Sequence, residues 1–462
     1  FYNSLMKILI NNLHSKIITD NADLLDALYR LYSEKSPGYQ YSSAYRSRQW
    51  DGKVHYISRT GSFRTGLLQR VLTDLKKIKC EPELEYNEEV SSIEPKNWDL
   101  KGFTYYPYQK ELIEKGLREK RGVIKSPTGS GKTLIMAGLV KALAGRKMVL
   151  LFNAKQLLTQ TFDFLTKTCK IDNVGLCFGE GYIYGDIMLC TVQSIEKILD
   201  THLEDTEILM VDECHEFANG KTTLAALRAF PKAQYRLGFT ATPPSDIIPR
   251  LNLEGRLGPV WASVSTSGLV DEGKLTKPII QLINRPSTSS GLDEDLPYLD
   301  VYESYIVNNE SRNNIIKEIV NEIRRTTDRS RILILTKSLE HGRTLEHLLS
   351  DGEVQFLQGS NSLGERYKSI SDFRRCKRSS TLIGTKILQT GINIEEITHF
   401  INARGMKSEI ATLQALGRAL RRHKSKDKVF IYDFLDKEKY LRNHSNARKR
   451  HYEKEGHEVT IL

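Results

Sequence analysis

At 462 residues, with 39% hydrophobic and 27% charged side chains, the chain is too long for one ordinary core and has the balance of a folded protein of two or three domains. That balance excludes collagen-like, disordered and low-complexity scaffolds, and no run approaches the ~20 apolar residues of a membrane span. The 68 Lys+Arg against 57 Asp+Glu leave a net charge of +11, which suits polyanionic partners, and six cysteines without a CxxC pair or a Cys/His cluster fit a reducing cytoplasm.

Phe1–Leu5 reads as an appended remnant ahead of Met6, and no charged segment followed by an apolar stretch marks a secretory signal. Short β-prone runs at residues 6–10 and 16–19 precede a helical pattern, Leu24, Leu25, Leu28 and Leu31, behind Asn21 as a cap. After Pro37-Gly38, residues 39–45 and 53–58 read as further strands, and 67–78 as an amphipathic helix. Residues 30–79 hold eleven Lys/Arg against three acids, a net +8, with Arg46, Arg48, Trp50 and Lys53 among alternating aromatics. Phosphate contact combined with base stacking needs this mixture. The same residues also read as a solvated face, with Trp50 anchoring the Asp51-Gly52 turn. The acidic stretch 81–99 reads as a linker.

Farther along, β-prone runs at 122–124, 148–152, 187–191, 208–211 and 236–240 alternate with helical patterns, which predicts a parallel sheet covered by helices. A second series, 332–335, 354–357, 380–384, 399–403 and 429–434, predicts another, and the Ser-, Gly- and Asp-rich segment 286–297 reads as a surface loop. The fold class is α/β, with two parallel-sheet domains in tandem behind a small α+β domain. The expected boundaries are 1–95 for the leading nucleic-acid-binding domain and its linker, 96–270 for the first α/β domain and 271–462 for the second.

Ser126-Pro127-Thr128-Gly129-Ser130-Gly131-Lys132-Thr133 follows a predicted strand and precedes the helix 134–144. Strand, glycine-rich turn and helix make a phosphate cradle. Gly129 and Gly131 let successive N–H groups face the phosphates, Lys132 adds a charge, and Thr133 places its hydroxyl on Mg²⁺. Ser126 stands where the strict pattern has Gly. Downstream, the apolar strand 208–211 ends in Asp212-Glu213-Cys214-His215. Two acids at the end of a buried strand need a positive partner, which Mg²⁺–nucleotide supplies. Asp212 then holds the metal and Glu213 orients and deprotonates the attacking water, with His215 a coupling residue. Arg418 and Arg421, three apart on a predicted helix, share a face from which positive charge could reach a transferring phosphoryl group; an ordinary basic helix is the other reading.

In order and spacing, the phosphate loop, Asp212-Glu-Cys-His215, Thr240-Ala-Thr242, Thr390-Gly391-Ile-Asn393 and Gln414-Ala-Leu-Gly-Arg418-Ala-Leu-Arg421 resemble the motifs of superfamily-two helicases of the DExH branch. The resemblance implies two RecA-like domains sharing one ATP, with Gln414, Arg418 and Arg421 in the catalytic set. It implies Gln109 as the adenine reader, Gly391 as a nucleotide contact, Thr240 and Thr242 as coupling residues, and DNA-backbone contacts at Asn153, Gln160, Gln193 and Thr385. Tyr106 stands where relatives often carry Arg, and Lys386 where many carry an acid. Gln49-Trp-Asp-Gly-Lys-Val54, Met406-Lys-Ser-Glu and Tyr432-Asp-Phe-Leu-Asp436 resemble, more narrowly, the phage UvsW-type branch-migration helicases. That implies a phage enzyme of the bacterial host cytoplasm that acts on forks, Holliday junctions or R-loops (RNA–DNA hybrids) in recombination, repair and replication, with single-stranded DNA tracking across both RecA-like domains. Two rivals are a double-stranded DNA translocase that never separates strands and a binding scaffold whose ATP site is only a switch.

Overall fold

A computed structural model describes residues 6–87, 93–262, 265–284, 296–385, 394–407, 417, 419–423 and 426–462. The chain divides into two compact units, Phe1–Ser126 with Gly131–Ser263, and Pro127–Ser130 with Val264–Leu462.

In the first unit, β1 (Lys7–Ile10), β2 (His14–Ile18), β5 (Ser62–Arg64) and β6 (Glu83–Tyr86) make a four-stranded sheet ordered β5-β2-β1-β6, while β3 (Ser33–Lys35) pairs with β4 (Lys53–His55). The helices Ala22–Leu31 and Leu68–Lys77 complete an α+β domain. As expected, Asn21 caps the first, its Oδ1 accepting from the Leu24 N–H at 2.9 Å. Two expectations for this domain need correction. Residues 39–45 are not a strand: Gly38 turns at φ +69°, and a 3₁₀ turn at Tyr39–Tyr41 leads into the helix Ser43–Arg46. The turn brings the Tyr39 and Tyr45 rings to 4.7 Å, whereas an extended chain would hold them roughly 20 Å apart. Nor is 81–99 linker throughout, because β6 pairs in parallel with β1 and its acids sit at a sheet edge, where Glu85 pairs with Lys7.

The larger sheet of this unit comprises β7 (Arg121–Lys125), β8 (Met148–Phe152), β9 (Val174–Phe178), β10 (Gly181–Ile183), β11 (Ile187–Thr191), β12 (Ile208–Val211), β13 (Tyr235–Thr240) and β14 (Val260–Ala262), in the order β10-β9-β11-β8-β12-β13-β7-β14. Apart from β10, its strands pair in parallel. Such a sheet is covered on both faces, so its strands read as unbroken apolar runs. Along β8, Met148, Leu150 and Phe152 enter one core while Val149 and Leu151 enter the other, and β12 divides the same way.

The leading domain is packed on this α/β body through the helix Ile247–Leu257, whose Leu251 sits in the leading domain's own core. Arg70 pairs with Glu254 at 3.1 Å, and Arg121 donates to Asn12. At Gly66 the two backbones nearly touch: a Cβ there would lie 2.1 Å from the Glu254 carbonyl oxygen.

In the second unit, β15 (Lys277–Ile283), β16 (Arg331–Leu335), β17 (Glu353–Leu357), β18 (Ser380–Gly384), β19 (His399–Asn402), β20 (Lys428–Phe434) and β21 (Val459–Ile461) form a parallel sheet ordered β17-β18-β16-β19-β20-β15-β21. At the carboxyl ends of β19 and β20 lies a fully buried charge network. Asp433 accepts from Arg448, Asn402 and Tyr452 at 2.8–3.1 Å, and Asp436 accepts from Arg312 at 3.0 Å. Buried charge is tolerated when paired and hydrogen-bonded, and this network ties the helix Leu441–Lys454 to the sheet. The fold is therefore the α/β class expected, with two parallel sheets of RecA-like type and a small α+β domain ahead of them. Most of the expected surface loop 286–297 lies outside the described residues.

Candidate active site

Parallel α/β sheets present their functional groups at the carboxyl edge of the strands. Here β13 lies between β7, which leads into the phosphate loop, and β12, which ends at Asp212. The Ser126 N–H donates to the Thr240 carbonyl at 2.9 Å, binding the start of the loop to the end of β13. Gly129 and Gly131 take φ of +87° and +82°, a region that favours glycine. The helix Lys132–Ala142 begins directly after Gly131, so its free N–H groups open at the turn. Ser130 Oγ donates to the Pro127 carbonyl at 2.6 Å.

Lys132 Nζ lies 2.9 Å from Glu213 Oε1, with both side chains mostly buried. Glu213 has φ +42°, an uncommon conformation for a non-glycine residue and one found at functional sites. Burial and the adjacent Glu213 carboxylate push the Asp212 carboxyl well above the usual range, with Lys132 opposing. His215 Nδ1 lies 2.8 Å from Thr240 Oγ1, which also accepts from the Thr242 N–H at 3.0 Å. Burial lowers the His215 pKa against the pull of Glu213 and Glu216. The Asp212–Glu213 turn is thereby joined to the Thr240–Thr242 segment.

Two carboxylates facing one ammonium leave surplus negative charge in a buried place, a donor set that fits a divalent cation carried with nucleotide phosphates. Asp212 and Glu213 are both half-buried, and Thr133, the second residue of the helix, is exposed. Thr242 Oγ1 is buried without a hydrogen-bond partner among the described residues.

Gln109 is 2% exposed in the helix Pro107–Glu119, where its Oε1 accepts from the Tyr106 N–H at 2.9 Å. Its Nε2 lies against the phosphate loop, 2.5 Å from where a Cβ on Gly131 would sit. Asn153 follows β8 and donates to Glu216, a partner that no local pattern announces. Gln160 is exposed on the helix Lys155–Asp163, and Gln193 is exposed just after β11. Thr385 follows the end of β18, and Arg421 is partly buried, its carbonyl accepting from Thr276 Oγ1 at 3.2 Å. Gly391, Gln414 and Arg418 lie outside the described residues. In the leading domain, Arg46 and Arg48 are exposed and Lys53 half-buried; Trp50 Nε1 donates to the Lys53 carbonyl at 2.8 Å, so its indole closes the Asp51-Gly52 turn.

Comparison with known proteins sets this geometry in a family. The model for the type III restriction enzyme res subunit matches residues 102–245, and that for the helicase conserved C-terminal domain matches 311–423. The chain belongs to the superfamily-two helicases. It is an ATP-dependent enzyme of that class. Across 91% of its length the helicase is 22% identical to the ATP-dependent DNA helicase uvsW of Enterobacteria phage T4, covering 88% of that protein. It is 24% identical over 78% of its length to the DNA 3'-5' translocase XPB2 of Sulfurisphaera tokodaii, again covering 88%. S. cerevisiae Dbp5 bound to RNA and ADP BeF3 superposes with a TM-score of 0.54 at 17% identity, over 77% of the helicase and 93% of Dbp5, a likeness of fold. No helix among the described residues is long and apolar enough to cross a membrane.

Proposed function

We propose that this helicase acts on branched DNA, unwinding forks and migrating Holliday junctions at the expense of ATP, in phage recombination, repair and replication. The observation that carries the reading is the Lys132–Glu213 pair at 2.9 Å, beside Asp212 and under the phosphate-loop helix. In that arrangement Lys132 would hold the β- and γ-phosphates, Asp212 and Thr133 would hold Mg²⁺, and Glu213, released from Lys132, would orient water and take its proton. Mg²⁺ supplies charge neutralisation on the phosphates when bound. Gln109 reads adenine, Gly391 contacts the nucleotide, and Gln414, Arg418 and Arg421 stabilise the transferring phosphoryl group. His215, Thr240 and Thr242 couple hydrolysis to strand movement. DNA, rather than RNA, is supported by relatives matching most of the chain that are named as a DNA helicase and a DNA translocase. Asn153, Gln160, Gln193 and Thr385 contact its backbone, while Arg46, Arg48 and Lys53 of a leading domain at 1–95 grip duplex near the branch, and RNA–DNA hybrids are a further substrate. The α/β domains are placed at 96–270 and 271–462, and the host cytoplasm is the compartment.

A synthetic four-way junction with ATP and Mg²⁺ tests the reading. The wild-type chain should convert it to two-armed products, and Lys132→Ala should leave it intact. An enzyme that turns over ATP on the junction without resolving it would instead be the double-strand translocase.

A further inference from the structure

The leading domain does more than lie near the hydrolytic site: its hydrogen bonds lead to it. Tyr56 directly follows β4, the strand that begins beside Trp50 and Asp51. Its hydroxyl donates to the Ile248 carbonyl at 3.0 Å and lies 3.4 Å from Asn252 Oδ1. Burial raises this hydroxyl to about 12, so it remains a donor at neutral pH. Asn252 Nδ2 in turn donates to the Ala218 carbonyl at 3.2 Å. Ala218 closes the 3₁₀ turn Cys214–Phe217, its N–H donating to His215 at 3.3 Å, and Glu213 opens that turn at φ +42°. The helix carrying Asn252 follows Thr240 and Thr242 closely in the chain. A strained backbone at the catalytic carboxylate, held by one short turn, is therefore reached from the leading domain through two side chains.

The leading domain has other anchors on this helix: Leu251 in the apolar core, the Arg70–Glu254 pair and the close approach at Gly66. A half-buried carboxamide placed between two elements and hydrogen-bonded at both ends sets their register.

We infer that Tyr56 and Asn252 are positioning residues through which DNA on the leading domain adjusts the Glu213 turn, and so the DNA-stimulated rate of ATP hydrolysis. The inference rests on the proposed DNA contact of that domain. Contiguity alone does not establish coupling, so the test is a double-mutant cycle. Tyr56→Phe, Asn252→Ala and the double variant of the full chain are measured for ATP turnover without DNA, turnover with saturating four-way junction, junction affinity and melting temperature. The expected result is a loss of roughly 3- to 10-fold in junction-stimulated kcat for each single variant, with DNA-free turnover, affinity and melting unchanged. The double variant should be no worse than the poorer single one. Wild-type stimulation in both single variants overturns the inference, as does an equal fall in DNA-free turnover, or losses that multiply in the double variant. Replacing Arg46, Arg48 and Lys53 with Ala separates the two claims. If that triple change leaves junction affinity intact, the DNA-contact reading fails; if it weakens affinity while Tyr56→Phe and Asn252→Ala keep full stimulation, the positioning role alone fails.

Discussion

Glu213 carries two burdens at once, a left-handed backbone and an ion pair with Lys132. Glu213→Gln keeps the side chain's shape and can still hydrogen-bond Lys132, but it cannot take a proton. It should bind ATP and lose turnover by about 10²- to 10⁴-fold, the usual contribution of a general base, as read by nucleotide binding beside phosphate release. Equal loss of binding would make the carboxylate a structural partner of Lys132 instead. The meeting of Lys132 with Glu213, beside Asp212, was legible in the sequence because a glycine-rich turn after a strand and an acid pair at a strand end are fixed local patterns. Tyr56, Asn252 and Glu254 were not. Their partners lie far away in the chain, and nothing local in Asp-Gly-Lys-Val-His-Tyr or Arg-Leu-Asn-Leu-Glu marks a contact between them. Trp50 was open to two readings that composition could not separate, and the hydrogen bond of its indole to Lys53 was what placed it in the turn.

Among the elements, the strands with unbroken apolar runs were read correctly because burial on both faces leaves a strong signal. β9, β10, β14, β15 and β21 were missed; in β9 Gly175 breaks the run, and it is required because a Cβ there would meet the backbone of Gly185 and Ile183. Residues 39–45 were misread because tyrosines favour strands, yet here two of them stack edge to face across a turn. The helix Ile247–Leu257 is the element on which the leading domain depends. Gly66→Ala should force the two backbones apart, since no flexible side chain can yield at 2.1 Å from a carbonyl oxygen. The variant should lose about 2 kcal/mol or more of stability and expose the leading domain to limited proteolysis, measured by thermal melting and digestion. Unchanged melting and protection would mean that the close approach is not needed for docking.

For the whole molecule, two α/β bodies and a small α+β domain ahead of them were readable from alternation and motif order, but the docking of the leading domain was not, because residues far apart in the chain make it, Gly66, Tyr56, Leu251 and the Arg70–Glu254 and Arg121–Asn12 pairs among them. Stability of the second unit should depend on acid. His341 and His399 are buried in the neutral form, their pKa lowered to about 3 and about 4 from 6.5 chiefly by desolvation. The unfolded chain therefore binds protons that the folded chain refuses, so stability falls as pH drops below about 6.5 and continues to fall toward pH 4. At pH 5 each histidine should cost up to about 2 kcal/mol relative to pH 7.5, and His399→Asn should flatten the dependence of melting temperature on pH. A pH-independent melting temperature between 7.5 and 5 would contradict this.

The central claim is that ATP hydrolysis at Lys132 and Glu213 drives the separation of DNA strands. Its most direct test is displacement of a labelled strand from a forked duplex in the presence of ATP and Mg²⁺. The account predicts displacement by the wild-type chain that requires hydrolysable ATP and disappears in Lys132→Ala, while DNA binding persists. Vigorous DNA-stimulated ATP turnover with the forked duplex left fully paired would contradict it.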